Sequence, residues 1–480
     1  MAPSIRILRA AWVAPISHPP IAHGEVVLEG DRIAAVRPAT AVTGSEVENF
    51  GEAILLPGLV NVHTHLDYTV MRGLLEDLDF FPWIRELTAR AMVLTPEDWL
   101  ASACWGAAEA LAAGVTAIGD CTFSGAAFTA ARQFGLAGTI YREVFGIDEL
   151  RTVAEIIAEL RGRVDAMAKD RSGTNLRVGI SPHSPYTVRP ELFRALAEYA
   201  DAEELPVCIH AAESQAEAEL LRCGAGAFAE MFDRRGIRWQ APGMSTVAYL
   251  DSLGILSRRT LLVHGVQVSA SDRAILADRN VAWAHCPKSN AKLGVGVAPL
   301  GLVRDMGGSS PETAMEHSRS GPRIAAVAEA RIGLGSDSVA SNNTMDLFEE
   351  MRFAVLMQRG ARRSIASLGA REAVEMATVG GARALDIEDE AGTLQPGKRA
   401  DLCVVRLGDL HSAPAYDAYN ALVYAAHASD VLCTYVAGEA RFDARKGPRI
   451  EDRFPFNDLA PIREQLYNAA RKMREWRLPT

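Results

Sequence analysis

Eight short apolar runs, separated by stretches of helical character, constrain this chain more than any other feature. The runs are Leu59–His63, Val115–Asp120, Gly138–Val144, Leu176–His183, Pro206–His210, Thr260–His264, Val281–His285 and Ile332–Asp337. Between them, segments such as Trp99–Ala113 and Pro190–Glu203 carry apolar residues at the spacing of one helix face. This alternation predicts an α/β fold, a (β/α)8 barrel of the TIM type, which typically takes about 250 residues and accepts insertions. A doubly wound open sheet uses the same alternation and is the competing architecture.

The two ends of the chain have a different texture. Ile5–Val13, Glu25–Glu29 and Arg32–Val36 read as short strands, with Glu29-Gly30-Asp31-Arg32 as a hairpin turn. Ala400–Arg406 and Val431–Ala437 share that character near the other end. They predict one small β-sandwich domain built from both chain ends, residues 1–57 and 391–450, around a barrel of residues 58–390. Residues 451–480 form a tail in which Asp458–Arg477 alternates charge and apolar residues at helical spacing. Met306–Glu329 reads as a loop-like insertion between the seventh and eighth runs.

Composition bounds the function. Apolar residues are 49% and charged residues 23% of the 480, an ordinary globular balance. A net charge of −10 argues against nucleic acid or an anionic membrane as a partner. No apolar run approaches the roughly 18–20 residues of a membrane helix, and no secretory signal is visible. The seven cysteines contain no C-x-x-C pair, which fits a reduced, cytoplasmic protein.

Six of the eleven histidines end or closely follow a run: His63 with His65, His183, His210, His264 and His285. Asp337 ends the eighth. Parallel barrel strands bring their C-terminal ends to one mouth, so groups far apart in sequence meet there. Imidazoles and a carboxylate are zinc-type ligands. Each residue also has a plain structural reading. His63 and His65, at i and i+2 on one strand face, are alone a weak signal. His210 gains weight from Glu213 three residues on. Asp337 also suits a helix cap or the Ser-Asp-Ser turn. His285, before Cys286-Pro287, is open between ligand and filler, and Cys286 has no basic activator nearby in sequence.

Other motifs fail on inspection. Gly392–Lys398 fits G-x-x-x-x-G-K, but Arg399 stands where a phosphate loop needs Ser or Thr. Ser289-Asn-Ala-Lys292 lacks the companions of an S-x-x-K enzyme, and the smaller zinc deaminases' motif is absent.

The strand-end motifs together resemble the amidohydrolase superfamily, in its aminohydrolase and chlorohydrolase branch. The carriers are Leu56-Pro-Gly-Leu-Val-Asn-Val-His-Thr-His65, Ile209-His-Ala-Ala-Glu-Ser214, Val263-His264-Gly265, His285-Cys-Pro-Lys-Ser-Asn290 and Leu334-Gly-Ser-Asp-Ser338. Gly392–Asp401 is similar to the return into the β-domain. The resemblance implies one divalent metal per chain, zinc with iron or manganese as alternatives, held by His63, His65, His210 and Asp337. It implies that Glu213 and His264 handle protons and orient the water, while Asp337 accepts the water's proton. Binuclear relatives carry a carboxylated lysine on the fourth strand; here Ser181-Pro-His-Ser-Pro-Tyr-Thr187 has none, which argues for one metal. Relatives also suggest a homodimer.

The Pro-His183-Ser-Pro-Tyr motif resembles adenosine-type nucleoside deaminases, in which this histidine contacts substrate. Phe81-Pro-Trp-Ile84 and Asn290–Pro299 look most like aminodeoxyfutalosine deaminases, with methylthioadenosine/S-adenosylhomocysteine deaminases beside them. Trp83 is a candidate to stack on a base or cover the pocket, His183 to bind a ribose or a substituent, and Arg142 and Glu143 to meet a polar tail of the substrate. The expected activity is hydrolytic deamination of a purine nucleoside or related aza-aromatic ring, releasing ammonia. A triazine-type chlorohydrolase or aminohydrolase and a guanine-type deaminase use the same machinery. A non-catalytic scaffold would have lost ligands that are all present here.

Overall fold

The computed structural model describes residues 5–41, 46–78, 80–148, 150–300 and 330–476. Eight parallel strands form the centre: β6 (Leu59–Thr64), β7 (Val115–Thr122), β8 (Ala137–Val144), β9 (Leu176–Pro182), β10 (Val207–Ala211), β11 (Thr260–His264), β12 (Ala282–His285) and β13 (Ile332–Leu334). Each pairs with its sequence neighbour. The Asp337 N–H donates to the His63 carbonyl at 2.9 Å, and a parallel Thr64–Asp337 bridge joins the last strand's exit to the first. The expected barrel is therefore observed, with each run placed within a few residues. The eighth run is strand only to Leu334; Gly335–Asp337 turns out at the mouth.

These strands are buried almost along their whole length because both faces are covered, by helices outside and by the barrel's own interior inside. The interior is filled by small side chains, including Ala117, Cys121, Cys208, Ala282 and Ala284, with Val60, Val62 and Tyr141. The close spacing is visible at Gly138, where a Cβ would lie 2.0 Å from the Ile118 carbonyl oxygen. The outer helices start on sequence signals. Thr95 caps Pro96–Ala112 in a capping box with Asp98, and Ser214 caps Gln215–Cys223.

Both chain ends build a second sheet: β1 (Ile5–Val13), β2 (Ile21–Glu29), β3 (Arg32–Pro38), β4 (Glu46–Asn49), β5 (Ala53–Pro57), β14 (Leu402–Arg406), β15 (Val431–Val436) and β16 (Glu439–Asp443). The order is β16-β15-β14-β5-β1-β2-β3, with β4 parallel to β1. The strands are hydrogen-bonded into one mixed sheet, a finer arrangement than two facing sheets. Its core gathers Leu8, Val26, Ile33, Leu402, Val404 and Tyr435 from both ends. Strand β5 shows how the sheet joins the barrel: Leu55 faces this core, while Ile54 and Leu56 face the barrel's.

The expected tail helix runs Leu459–Glu475. It lies along Pro96–Ala112, with Gln465 Nε2 and Lys472 Nζ donating to the buried Asp98 carboxylate at 2.7 and 2.6 Å. Among the described residues no helix is long and apolar enough to cross a membrane. The Met306–Glu329 insertion lies outside the described residues.

Candidate metal centre and active site

The C-terminal ends of β6, β10, β11 and β13 deliver His63 with His65, His210, His264 and Asp337 to one buried point. One nitrogen or oxygen from each of His63, His210, His264 and Asp337 lies within 4.8 Å of the others. His65 adjoins that group: its Nε2 is 3.2 Å from His210 Nε2 and 3.6 Å from Asp337 Oδ1. His63 Nε2 is 3.2 Å from the same Asp337 oxygen. These five strand-end groups therefore converge, with His264 in the tightest set and His65 at its edge.

Neighbours fix which nitrogen of each ring faces inward. His210 Nδ1 donates to the His183 carbonyl at 3.0 Å, leaving Nε2 unprotonated toward the centre. His264 Nδ1 donates to Asn290 Oδ1 at 3.0 Å, so its Nε2 points at Glu213 Oε1, 3.7 Å away. Ser289 and Ser341 donate to Asp337 Oδ2 at 2.6 and 2.8 Å, which reserves Oδ1 for the histidines. His264 and Asp337 have φ of 68° and 58°, a left-handed conformation costing on the order of 1–3 kcal/mol at a non-glycine residue. That strain turns both side chains into the mouth.

The electrostatics call for a cation. Burial opposes charge on His63, yet Asp337 and Cys208 beside it raise its pKa to about 10. Burial likewise pushes Asp337 up, but His63 and the field of the other imidazoles hold it well below the usual carboxylate range. His65 is held neutral, its pKa lowered to about 3 by burial and by the charge on His63. Burial also drives His210 well below the ordinary value. Fully buried His63 Nε2 has no aligned hydrogen-bond partner among the described residues. The neutral imidazoles of His65 and His210 beside an ionised Asp337, with the buried and unpartnered His63 Nε2, form a donor set that fits a divalent cation, which would take the place of the His63 proton.

Glu213 stands beside this centre on the turn after β10. Burial, then the nearby Asp337 charge, raises its pKa above the ordinary carboxyl value, which favours a proton donor. Its backbone is held by Glu217. That fully buried carboxyl accepts the N–H of Ala212 at 2.8 Å, the N–H of Glu213 at 3.1 Å and the Thr246 hydroxyl at 2.8 Å. Ala212 itself sits at φ 53°, so these bonds hold a strained turn.

A cavity of about 90 Å³ opens over the centre. Tyr68, Trp83, Glu143, His183, Tyr186 and Leu293 line it beside the metal-type residues. His183 Nδ1 bonds the Thr187 hydroxyl at 2.9 Å, and burial lowers its pKa to about 4. Glu143 is pushed up to about 8 by burial and by Asp67. Arg142 is the expected residue that the fold keeps apart. Adjacent strand residues face opposite ways, so with Glu143 at the cavity the Arg142 side chain turns outward to the Thr122 carbonyl, 3.4 Å away. His285 ends β12 buried, both ring nitrogens without partners among the described residues, and burial lowers its pKa to about 3. Sequence reasoning passed over Ser289, Asn290, Ser341 and Glu217. The first two lie inside His285-Cys-Pro-Lys-Ser-Asn290, whose signal was available.

The profile described as "Amidohydrolase family" matches residues 54–441. The 5'-deoxyadenosine deaminase of Methanococcoides burtonii is 30% identical over 456 residues, covering 93% of this chain and 94% of the relative. The 5-methylthioadenosine/S-adenosylhomocysteine deaminase of Desulforudis audaxviator is 31% identical over 455 residues, covering 92% and 94%. An adenosine deaminase from Xanthomonas campestris, solved with bound zinc, superposes with a TM-score of 0.82 at 24% identity, covering 99% of this chain and 100% of that one.

Proposed function

The chain belongs to the amidohydrolase family, and on that premise we propose that it is a metal-dependent deaminase of an adenosine-type nucleoside. The reaction replaces the exocyclic amino group of the purine by oxygen and releases ammonia. One observation carries the reading: a buried His/His/His/Asp cluster with a carboxyl of raised pKa, Glu213, 3.7 Å from His264 at the floor of one cavity. The names of the two deaminase relatives support the substrate class.

In this proposal His63, His65, His210 and Asp337 hold the cation. His264 is set apart from the ligands because its free nitrogen is directed at Glu213. Nitrogen and oxygen donors of this kind suit zinc, with iron or manganese as alternatives. When bound, the cation supplies a Lewis acid that lowers the pKa of water toward about 7.

The chain's own groups do the rest. Asp337 Oδ1 accepts the proton of the attacking water, while Ser289 and Ser341 keep the other oxygen from rotating in. Glu213 donates a proton to the ring nitrogen beside the attacked carbon, making that carbon more electrophilic; the proton held by Asp337 then passes to the exocyclic amino group, the C–N bond breaks, ammonia leaves, and the hydroxyl proton returns to Glu213 as the carbonyl forms. His264 Nε2, oriented through Asn290, accepts the remaining O–H of the adding oxygen and so aims that oxygen at the carbon. Positioned acid–base groups of this type contribute roughly 10²–10⁴-fold. Trp83 and Leu293 cover the base and exclude bulk water. Glu143 and His183 face the ribose side.

The test is ammonia release from adenosine, 5'-deoxyadenosine, methylthioadenosine, S-adenosylhomocysteine, aminodeoxyfutalosine, guanine and aminotriazines. The proposal expects turnover of at least one adenosine-type nucleoside well above the triazines and guanine. Turnover confined to triazines or guanine contradicts it.

A further inference from the structure

Three successive barrel strands end in the same way. The first residue beyond β7 is Phe123, beyond β8 Phe145 and beyond β9 His183, and parallel pairing sets these exits side by side. Their rings form a ladder with His210 at its inner end. His210 and His183 have centroids 4.8 Å apart and planes 34° apart. His183 and Phe145 follow at 4.7 Å and 30°, then Phe145 and Phe123 edge to face at 6.0 Å. Exposure rises outward along the ladder. His210 is buried, Phe145 is 40% exposed and Phe123 47%.

The two partly exposed rings form a small apolar surface against His183, which itself lines the catalytic cavity. The cavity beneath has about 90 Å³, well below the roughly 300–1,000 Å³ of pockets that bury a drug-sized ligand. It takes a flat heterocycle, and the remainder of a substituted nucleoside has to leave along the mouth. The ladder marks one apolar route out. Two cations near it are already committed. The Arg189 guanidinium donates to the carbonyls of Gly146, Asp148 and Arg151, and Arg235 pairs with Asp148 at 3.6 Å.

We infer that Phe123 and Phe145 form an aromatic platform that binds the group on the nucleoside's 5' position and selects an aromatic or apolar group over a zwitterionic amino acid. This rests on the adenosine-type reading above. Stacking on Phe145 holds the 5' group while the base reaches the metal centre, so the platform sets specificity and takes no part in the chemistry.

The experiment compares kcat/KM for three adenosines alike in base and ribose: 5'-phenylthio, 5'-deoxy, and the homocysteine thioether S-adenosylhomocysteine. The phenylthio compound is expected to exceed S-adenosylhomocysteine about 10-fold. Phe145→Ala should lower the phenylthio-to-deoxy ratio about 3- to 10-fold, the worth of one aromatic pair. Phe145→Leu serves if the alanine variant folds poorly, and should lower the ratio less. Phe123→Ala should act in the same direction. A wild-type preference for S-adenosylhomocysteine, or a ratio unmoved in all three variants, overturns the inference. So does conversion of an oligomer to monomer by Phe145→Ala with the ratio intact, which would make the rim a subunit contact. No ammonia from any of the three compounds overturns the adenosine-type reading itself.

Discussion

Glu217→Gln isolates the positioning of the proton donor from its chemistry. The wild-type carboxyl is fully buried and accepts three hydrogen bonds, two from the strained Ala212-Glu213 turn and one from Thr246. Glutamine keeps one acceptor oxygen and puts an NH2 group against a backbone N–H. At least one bond to a buried carboxyl is lost, worth roughly 1.5–3 kcal/mol, and two donors face each other. The turn then relaxes from φ 53° at Ala212, carrying Glu213 off its aim at His264. Displacements on the order of 1 Å cost up to ~10²-fold in rate. The expected result is a kcat in ammonia release lowered roughly 10- to 100-fold, with KM within a few-fold and metal content unchanged by elemental analysis. Among the described residues the hydrogen bonds of the Glu217 carboxyl involve Ala212, Glu213 and Thr246, and Glu217 is not one of those that line the cavity. Unaltered kcat in a variant of lowered thermal stability would show that the turn holds without this carboxyl. Loss of metal would show that it acts on the ligand set instead.

Three further outcomes follow from the same geometry. Glu213→Gln should retain full metal and lose most turnover, about 10²-fold or more; near-normal ammonia release would remove its role as proton donor. His65→Ala should fail to hold stoichiometric metal while His264→Ala retains it, by elemental analysis after dialysis; the reverse pattern would make His264 the ligand, as the tightest set of donor atoms allows. Glu350 is buried, and burial with the nearby Asp346 charge raises its pKa to about 8 from an ordinary 4.5. Between those values the folded state keeps a proton that the unfolded chain has lost, so this group's contribution to stability falls as pH rises from about 4.5 to about 8. The melting temperature of Glu350→Gln minus that of wild type should therefore increase from pH 5 to pH 8; a difference constant with pH would refute the buried neutral carboxyl.

The barrel was legible because its strands are short apolar runs with a catalytic-type side chain at the exit, a pattern that burial on both faces imposes. The convergence of His63, His65, His210, His264 and Asp337 followed from parallel strand direction alone. What the sequence could not display was contact across strands. Ser289 and Ser341 reach Asp337 from elements 48 and 4 residues away in sequence, and no local spacing distinguishes such hydroxyls from helix caps. Arg142 and Glu143 were paired as substrate contacts, whereas the strand's alternation permits only one of them to face inward, and which one depends on barrel closure. The platform of Phe123, Phe145 and His183 is likewise invisible until the register of β7, β8 and β9 aligns three exits far apart in sequence. The terminal strands were recognisable singly, but their union into one sheet depends on β5 and β14 each serving two cores.

The central claim is that one buried divalent cation, held by this histidine and aspartate cluster, drives deamination. The most direct measurement is chelation followed by titration. The purified chain is stripped of metal, assayed for ammonia release from the best adenosine-type substrate, and titrated with zinc. The account predicts no turnover in the stripped protein and full recovery at one equivalent per chain. Turnover persisting without metal, or recovery that requires two equivalents, would contradict it.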